Sequence, residues 1–249
     1  MSETSKPTLQ ADALEHSFGT GESRVDVLRG VALQLQPGQI TLLMGPSGSG
    51  KTVLLALLSG LMRPRAGQVT VLGQNLWRMS DGQRRRFRLA HFGFIFQASL
   101  LFPGLTIGQQ LEMVLRWGDG MSISAARPWI KTALERFDLA DKHDRFPEQL
   151  SGGEKQRVGI ARALIRHPDV CFADEPTASL DWGHGQQVVA QLVTTARERG
   201  TSVLLVTHDI RLAAFADRVL YLEDGQFTNQ PHAAVLGSAE LPQAQGNNV

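Results

Sequence analysis

The chain has 249 residues, of which 42% are hydrophobic and 20% charged, as is typical of a globular α/β domain with a full core. Its net charge of +1 gives no overall attraction to nucleic acid or acidic lipid, so such a contact would need a local patch. The single cysteine, Cys171, excludes an internal disulfide, and its apolar neighbours predict a buried strand thiol. We expect no secretion signal in the polar first residues and no membrane-spanning segment.

The amino-terminal region, residues 9–36, is predicted to consist of short strands and turns. Gly19-Thr20-Gly21 is typical of a hairpin connection, and apolar residues alternate from position 31 to 35. Phe18 could pack into the core or present its ring to a nucleotide base. Its spacing alone favours the core.

A glycine-rich turn follows an apolar strand at 40–44 and precedes an apolar helix at 53–58. Such a turn points several backbone N–H groups and the positive end of a helix at one anion. The spacing predicts a phosphate-binding loop, in which the lysine reaches the outer phosphates and the threonine hydroxyl faces Mg²⁺. The alternative is an ordinary turn with an exposed lysine. The loop consists of Gly45, Pro46, Ser47, Gly48, Ser49, Gly50, Lys51 and Thr52.

The middle of the chain changes from strands to helices. A strand at 68–72 and a polar helix at 81–89 precede an aromatic strand at 92–96, which ends at Gln97. Residues 106–139 have helical periodicity and are predicted to form an inserted helical subdomain. The helix at 81–89 carries four arginines, for which we favour a solvated face over a contact with phosphate or membrane.

A further helix is predicted to begin at Ser151, because Ser151 and Glu154 have the spacing of a capping box. Gly152 and Gly153 disfavour a helix at this point. They make sense if an anion must approach the backbone closely.

Polar residues follow the buried strands predicted at 170–173 and 202–206. Asp174 suits a metal, Glu175 suits the attacking water, and His208 could donate to the outermost phosphate. Parallel strands collect ligands beyond their carboxyl ends, which favours a functional role for these side chains over a structural one.

These motifs together resemble the nucleotide-binding subunit of ATP-binding-cassette (ABC) transporters. In order, 45–52 resembles the Walker A loop, Gln97 the Q-loop glutamine, LSGGEKQ at 150–156 the signature motif, and 170–175 Walker B. Ala178 to Asp181 resembles the D-loop and His208 the switch histidine. Phe18 falls at the A-loop position, where an aromatic ring stacks on adenine, and this reverses the preference for the core.

The resemblance implies a P-loop NTPase core with an antiparallel β subdomain and an inserted helical subdomain, within one ABC ATPase domain at 9–227. The helical insertion covers about 98–165, and 228–249 form a partly disordered tail. The implied cofactors are ATP and Mg²⁺, with Thr52, Gln97 and Asp174 near the metal. Glu175, His208 and Lys51 are the implied catalytic residues, and Ser151, Gly152 and Gly153 contact ATP across a head-to-tail homodimer.

The implied partner is a membrane permease, with the chain lying peripherally on the cytoplasmic face of the inner membrane and binding no nucleic acid. MGPSGSGKT, GFIFQ and LSGGEKQRVGIARAL are most similar to the lipoprotein-releasing and macrolide-exporter group. Val53 after Thr52, and His184-Gly185 after the D-loop, depart from the usual pattern without removing a reactive group. The alternatives are an ATPase that transmits force without transport, as in cell division, an ABC protein acting on ribosomes or DNA, and a scaffold that binds ATP without hydrolysis.

Overall fold

The computed structural model describes residues 6–228, apart from the side chains of Glu22 and Asp119. Its strands and α-helices, in chain order, are β1 (Leu9–Phe18), β2 (Val25–Leu35), β3 (Ile40–Met44), α1 (Lys51–Leu58), β4 (Ala66–Val71), β5 (Gln74–Asn75), α2 (Asp81–His91), β6 (Phe92–Ile95), α3 (Ile107–Asp119), α4 (Ile123–Arg136), α5 (Gly152–Leu164), β7 (Val170–Asp174), α6 (Trp182–Arg199), β8 (Ser202–Val206), β9 (Arg218–Glu223) and β10 (Gln226–Thr228).

A six-stranded sheet forms the centre of the molecule, with strand order β10-β9-β3-β8-β7-β6. Strands β9, β3, β8, β7 and β6 are parallel, and β10 adds an antiparallel edge. The register pairs Leu43 with Val206 and Val206 with Asp174, so β3, β8 and β7 end at one edge of the sheet. The strands predicted from buried apolar runs are confirmed, and the predicted phosphate loop leaves this edge.

A four-stranded antiparallel sheet has the order β2-β1-β4-β5. The prediction of short strands at 9–36 was wrong, because β1 and β2 are 10 and 11 residues long. Bulges in their pairing interrupt the apolar alternation, and Ala13 adopts a positive φ of 47°. The predicted connection at Gly19-Thr20-Gly21 is confirmed, since it lies between these two strands.

The two faces of the central sheet bury separate cores. Leu43, Phe172 and Leu204 pack with α1, α2 and the antiparallel sheet on one face. Their neighbours in sequence, among them Leu42 and Cys171, pack with α3 to α6 on the other. Burial raises the pKa of the Cys171 thiol to about 12. The predicted buried strand thiol is therefore confirmed.

Helix α2 carries the arginine-rich stretch. Arg85 and Arg86 are exposed, as expected for a solvated face. Arg84 and Arg88 are less exposed and have structural contacts. The Arg84 guanidinium lies 4.2 Å from the centre of the Trp77 ring, and Arg88 donates to the Gly60 carbonyl at 3.1 Å.

No helix is predicted above for 182–199, yet α6 is the longest helix described. Asp181 caps its start by accepting from the His184 backbone N–H at 3.1 Å, and Gly200 ends it in a left-handed conformation. Gly183 and Gly185 in its first turn weaken the helical signal in the sequence.

Helices α3 to α5 follow one another between β6 and β7, within the residues 98–165 that we expect to form an inserted subdomain. The expected tail begins at 228; β10 includes Thr228, and 229–249 lie outside the described residues. None of the helices within 6–228 combines the length and hydropathy required to cross a membrane.

Candidate active site

The loop at 45–52 depends on glycines for two different reasons. A Cβ on Gly45 would lie 2.0 Å from the Leu222 carbonyl oxygen, and one on Gly50 would lie 3.0 Å from the Val27 carbonyl oxygen. Both residues also have positive φ, 147° and 102°, which side chains disfavour. Close packing and backbone conformation therefore fix the curve of the loop, and Ser49 Oγ lies buried in it without a described partner.

Helix α1 begins at Lys51 with no side chain capping its first turn. The first N–H groups of a helix have no intrahelical acceptor, so this end offers donors and a positive dipole to an anion. Lys51 Nζ donates to the carbonyl oxygens of Gly45 and Pro46, at 2.8 Å each. Thr52, the next residue, is exposed.

Backbone hydrogen bonds join the strand ends that carry the predicted polar residues. The Thr207 N–H donates to the Leu43 carbonyl at 3.1 Å, and the Glu175 N–H donates to the Val206 carbonyl at 2.9 Å. Residues following β3, β8 and β7 are thereby held side by side. Gln97 follows β6, which pairs with β7, and so lies at the same edge.

Glu175 and His208, predicted separately from the sequence, are hydrogen-bonded to each other. His208 Nδ1 lies 2.8 Å from Glu175 Oε1, and the Thr207 hydroxyl donates to Glu175 Oε2 at 3.1 Å. Glu175 adopts a positive φ of 46°, which is strained for a residue with a side chain. Its side chain is 17% exposed, whereas that of His208 is 73% exposed. The carboxylate is thus held from both oxygens, and the imidazole faces outwards.

Thr207 contacts Glu175 in the candidate site and was not predicted from the sequence. It is fully buried, and its hydroxyl also accepts from the Asp209 N–H at 3.1 Å. Its position directly after the buried strand β8 was a signal in the sequence. The prediction assigned the functional role to the adjacent residue, His208, instead.

Asp174 and Lys51 have opposite charges in partly buried surroundings. Burial raises the pKa of Asp174, as does the nearby Glu175, while Lys51 opposes the shift. Burial also lowers the pKa of Lys51, against the attraction of both carboxylates. The strand ends therefore hold two carboxylates close together beside a single lysine, and a cation placed among them would relieve their repulsion.

Phe18 ends β1 and is 47% exposed, so it does not pack into the core. It pairs with Val25 on β2, and two residues further along β2 the Val27 carbonyl lies against Gly50. The β1–β2 hairpin thus brings an exposed aromatic ring towards the start of α1. The His16 ring packs against it in a T-shaped arrangement, with 5.0 Å between ring centres.

Ser151, Gly152 and Gly153 form the start of α5. Ser151 Oγ accepts from the Glu154 N–H at 3.2 Å, and the Ser151 N–H donates back to Glu154 Oε2 at 2.8 Å, so the predicted capping box is confirmed. The nearest atom to a Cβ built on Gly152 belongs to Leu180, 3.7 Å away. This helix start therefore lies beside the D-loop stretch, with its backbone open on one side.

The comparison with known proteins identifies the family. The ABC transporter family model matches residues 28–178. The chain is 42% identical over 219 residues to the uncharacterized ABC transporter ATP-binding protein YbbA of Escherichia coli K12, covering 87% of this chain and 95% of YbbA. It is 37% identical to the macrolide export ATP-binding/permease protein MacB of Shigella flexneri, covering 91% of this chain but 35% of MacB.

A solved structure has the same fold. It is the dimeric post-hydrolysis state of the ATP-binding cassette MJ0796 bound to ADP and Pi, with a TM-score of 0.80 and 33% identity, covering 88% of this chain and 96% of that one. The segment that these relatives match contains three features of the candidate site: the glycine-rich loop at 45–52, the two carboxylates at the strand ends and the glycine pair that follows Ser151. The chain belongs to the ABC transporter family, as an ATP-binding subunit that hydrolyses ATP.

Proposed function

We propose that the chain hydrolyses Mg²⁺-ATP between two head-to-tail copies of itself and thereby drives a membrane permease. The observation that carries this proposal is the hydrogen bond between Glu175 and His208, beside the open start of α1. The loop from Gly45 to Lys51 would hold the phosphates through backbone N–H groups. Lys51, now bonded to two loop carbonyls, would turn to the outer phosphates.

Adenine would stack on Phe18. The exposed ring lies on the hairpin whose second strand packs against Gly50, at the start of the phosphate-binding helix. Stacking on an aromatic ring needs only its face, so phenylalanine serves as well as tyrosine.

Thr52, Gln97 and Asp174 suit Mg²⁺ because they offer a hydroxyl, an amide and one carboxylate. Within the described residues no three His, Cys, Asp or Glu side chains form a metal-binding group. Mg²⁺ is commonly held by one or two carboxylates together with substrate phosphates, so this donor set fits it. The metal would neutralise charge on the transferred phosphoryl group.

Glu175 would orient the attacking water, and His208 would contact the outermost phosphate. Each oxygen of Glu175 has a further lone pair beyond its bond to His208 or Thr207. Because Nδ1 of His208 is already bound by Glu175, Nε2 is the nitrogen that remains for the phosphate.

Gly152 and Gly153 support the homodimer. A Cβ on Gly153 would have no neighbour closer than 3.9 Å, and neither glycine has a positive φ. The chain's own packing therefore gives no reason for either glycine. A second molecule's nucleotide gives one for the exposed Gly152, because close approach to the N-terminus of α5 requires a bare backbone. MJ0796, a dimer in its solved structure, shows that such cassettes assemble in pairs.

The permease would bind in a groove of about 450 Å³ next to Gln97, between α2, β6, α3 and α5. Exposed apolar side chains line it, which is unusual on a monomer surface and typical of an interaction site. Among them are Leu89, Phe96, Leu100 and Phe102. MacB joins an ATP-binding part to a permease in one chain, and we infer an exporter or lipid-extruding complex of that type at the cytoplasmic face of the inner membrane.

The test of this function uses Glu175→Gln, which keeps the shape of the side chain and removes its charge. We expect the variant to bind ATP, lose turnover and form a dimer when ATP and Mg²⁺ are added, as measured by light scattering after gel filtration. Adding Gly152→Ala should abolish that dimer, because a methyl group would meet the facing nucleotide.

Gly82→Ala in the same Glu175→Gln background is the matched control. Gly82 is also a helical glycine with open space around it, and it lies on α2. The dimer should persist in this variant. A Glu175→Gln chain that stays monomeric with ATP, or turns ATP over at the wild-type rate, would contradict the proposal.

The partner is tested by purifying the tagged chain from solubilised membranes of its source and identifying what comes with it. A permease with a large periplasmic domain would support the exporter grouping. A ribosomal or DNA-bound partner without a membrane protein would contradict the transport function and leave the ATPase chemistry in place.

A further inference from the structure

The segment around Gln97 is fastened to helix α5 by three side-chain hydrogen bonds to backbone carbonyls. Gln156 Nε2 donates to the Phe96 carbonyl at 3.2 Å. The Arg162 guanidinium donates through Nη2 to the Ser99 carbonyl and through Nη1 to the Leu100 carbonyl, at 2.8 Å each. The carbonyls on both sides of Gln97 are therefore held by one helix.

Two further features of α5 support these contacts. Gln156 is 2% exposed, so its amide has no other partner in solvent. Three residues further along α5, Gly159 faces Ser99, and a Cβ there would lie at ordinary contact distance, 3.6 Å. Positions three apart lie on one face of a helix, so this face of α5 follows the segment from Phe96 to Leu100.

Arg162 also stabilises an unfavourable backbone conformation at Leu100. Leu100 has a positive φ of 45°, which costs energy for a residue with a branched side chain. Its carbonyl converges with that of Ser99 on a single planar guanidinium. An ammonium group lacks this fixed fork of donors, so lysine would not replace arginine in both bonds.

Helix α5 connects these hydrogen bonds with Ser151 of the signature motif. Ser151 caps the helix start, and Arg162 lies eleven residues later, roughly 17 Å along the axis. Leu100 and Arg162 also line the groove described above, beside Phe102. One rigid element thus touches the groove, the Gln97 segment and the glycine pair.

We propose that Arg162 and Gln156 are positioning residues that fix Gln97 to α5 and so couple the permease groove to the nucleotide site. The proposal rests on the function proposed above. A permease segment that displaces Leu100 would move the Arg162 fork, and with it both Gln97 and the helix that carries Ser151. Neither positioning residue is among those proposed above to bind the nucleotide.

The test compares Arg162→Lys, Gln156→Leu and the wild-type full chain. We expect amide exchange in residues 96–102 to rise about tenfold in both variants, since local opening follows the loss of its hydrogen bonds. We also expect the Mg²⁺ concentration for half-maximal ATPase activity to rise and kcat to fall about tenfold, with the KM for ATP unchanged, because Gln97 is misplaced. A merely structural role would lower Tm without changing the Mg²⁺ requirement.

Arg199→Lys is the matched control. Arg199 Nη1 also donates to a backbone carbonyl, that of Leu164 at 3.3 Å, which belongs to α5 and not to the segment around Gln97. This variant should leave exchange at 96–102 and the Mg²⁺ requirement unchanged.

Unchanged exchange at 96–102, or altered exchange with an unchanged Mg²⁺ requirement and kcat, would overturn the positioning role. If Arg162→Lys does not fold, Gln156→Leu decides by the same criteria. A wild-type chain without Mg²⁺-dependent turnover would instead contradict the proposed function, so the two failures are distinguishable.

Discussion

Thr207→Val removes the hydroxyl that donates to Glu175, the proposed catalytic carboxylate, and leaves the shape of the side chain almost intact. Two hydrogen bonds are lost: the one that the Thr207 hydroxyl donates to Glu175 Oε2 over 3.1 Å, and the one that it accepts from the Asp209 N–H over 3.1 Å. The residue is fully buried, so water cannot take the place of the hydroxyl. A hydrogen bond to a charged group contributes about 1.5–3 kcal/mol. Glu175 would then be held only by His208 and its own backbone.

We expect kcat to fall about tenfold to a hundredfold if that energy orients the carboxylate in the transition state. ATP affinity should not change, because the Thr207 backbone N–H still donates to the Leu43 carbonyl and the phosphate loop is untouched. The measurements are steady-state ATPase rates and equilibrium binding of a fluorescent ATP analogue.

Thr201→Val makes the same change next to the other end of β8. The Thr201 hydroxyl donates to the Pro168 carbonyl at 2.7 Å and is also buried. Its loss should lower Tm by about 2–4 °C for each kcal/mol in a chain of this size, without changing kcat. Equal kcat losses in the two variants, or a Thr207→Val variant that loses only Tm, would refute the assigned role of Thr207.

Three further results are expected. Asp174→Asn should abolish turnover and yet raise Tm at pH 7. Folding raises the pKa of Asp174 above its ordinary value of 3.8, so the charged carboxylate lowers the stability of the native chain at neutral pH. The difference in Tm between the variant and the wild type should therefore shrink as the pH falls towards 3.8. Phe18→Ala should weaken ATP binding about tenfold through lost stacking, whereas Phe18→Tyr should bind like the wild type, as titration calorimetry would measure. Cys171 should react with a thiol reagent at pH 8 only after unfolding, because its pKa is about 12 and it is fully buried; labelling of the native chain would contradict this burial.

The sequence could predict which residues follow buried strands, but not which strands are neighbours. Asp174, Glu175 and His208 were found because apolar runs end just before them. Their contact depends on the pairing of β7 with β8, formed between residues 32 positions apart. Long-range pairing leaves no local pattern in a chain. For the same reason the bonds from Thr207 to Glu175 and from Arg162 to Leu100 could not be predicted.

Two glycines differ in whether contacts within the chain explain why a glycine stands at that position. Gly45 is required by this chain, since a Cβ would lie 2.0 Å from the Leu222 carbonyl oxygen and its φ is 147°. Gly152 begins a helix with ordinary backbone angles, and a Cβ there would meet nothing closer than 3.7 Å. Alanine would stabilise such a helix by up to about 1 kcal/mol, so the glycine has a cost without a benefit inside the molecule. As proposed above, its benefit would come from a molecule outside the chain that brings an anion against the bare N-terminus of α5.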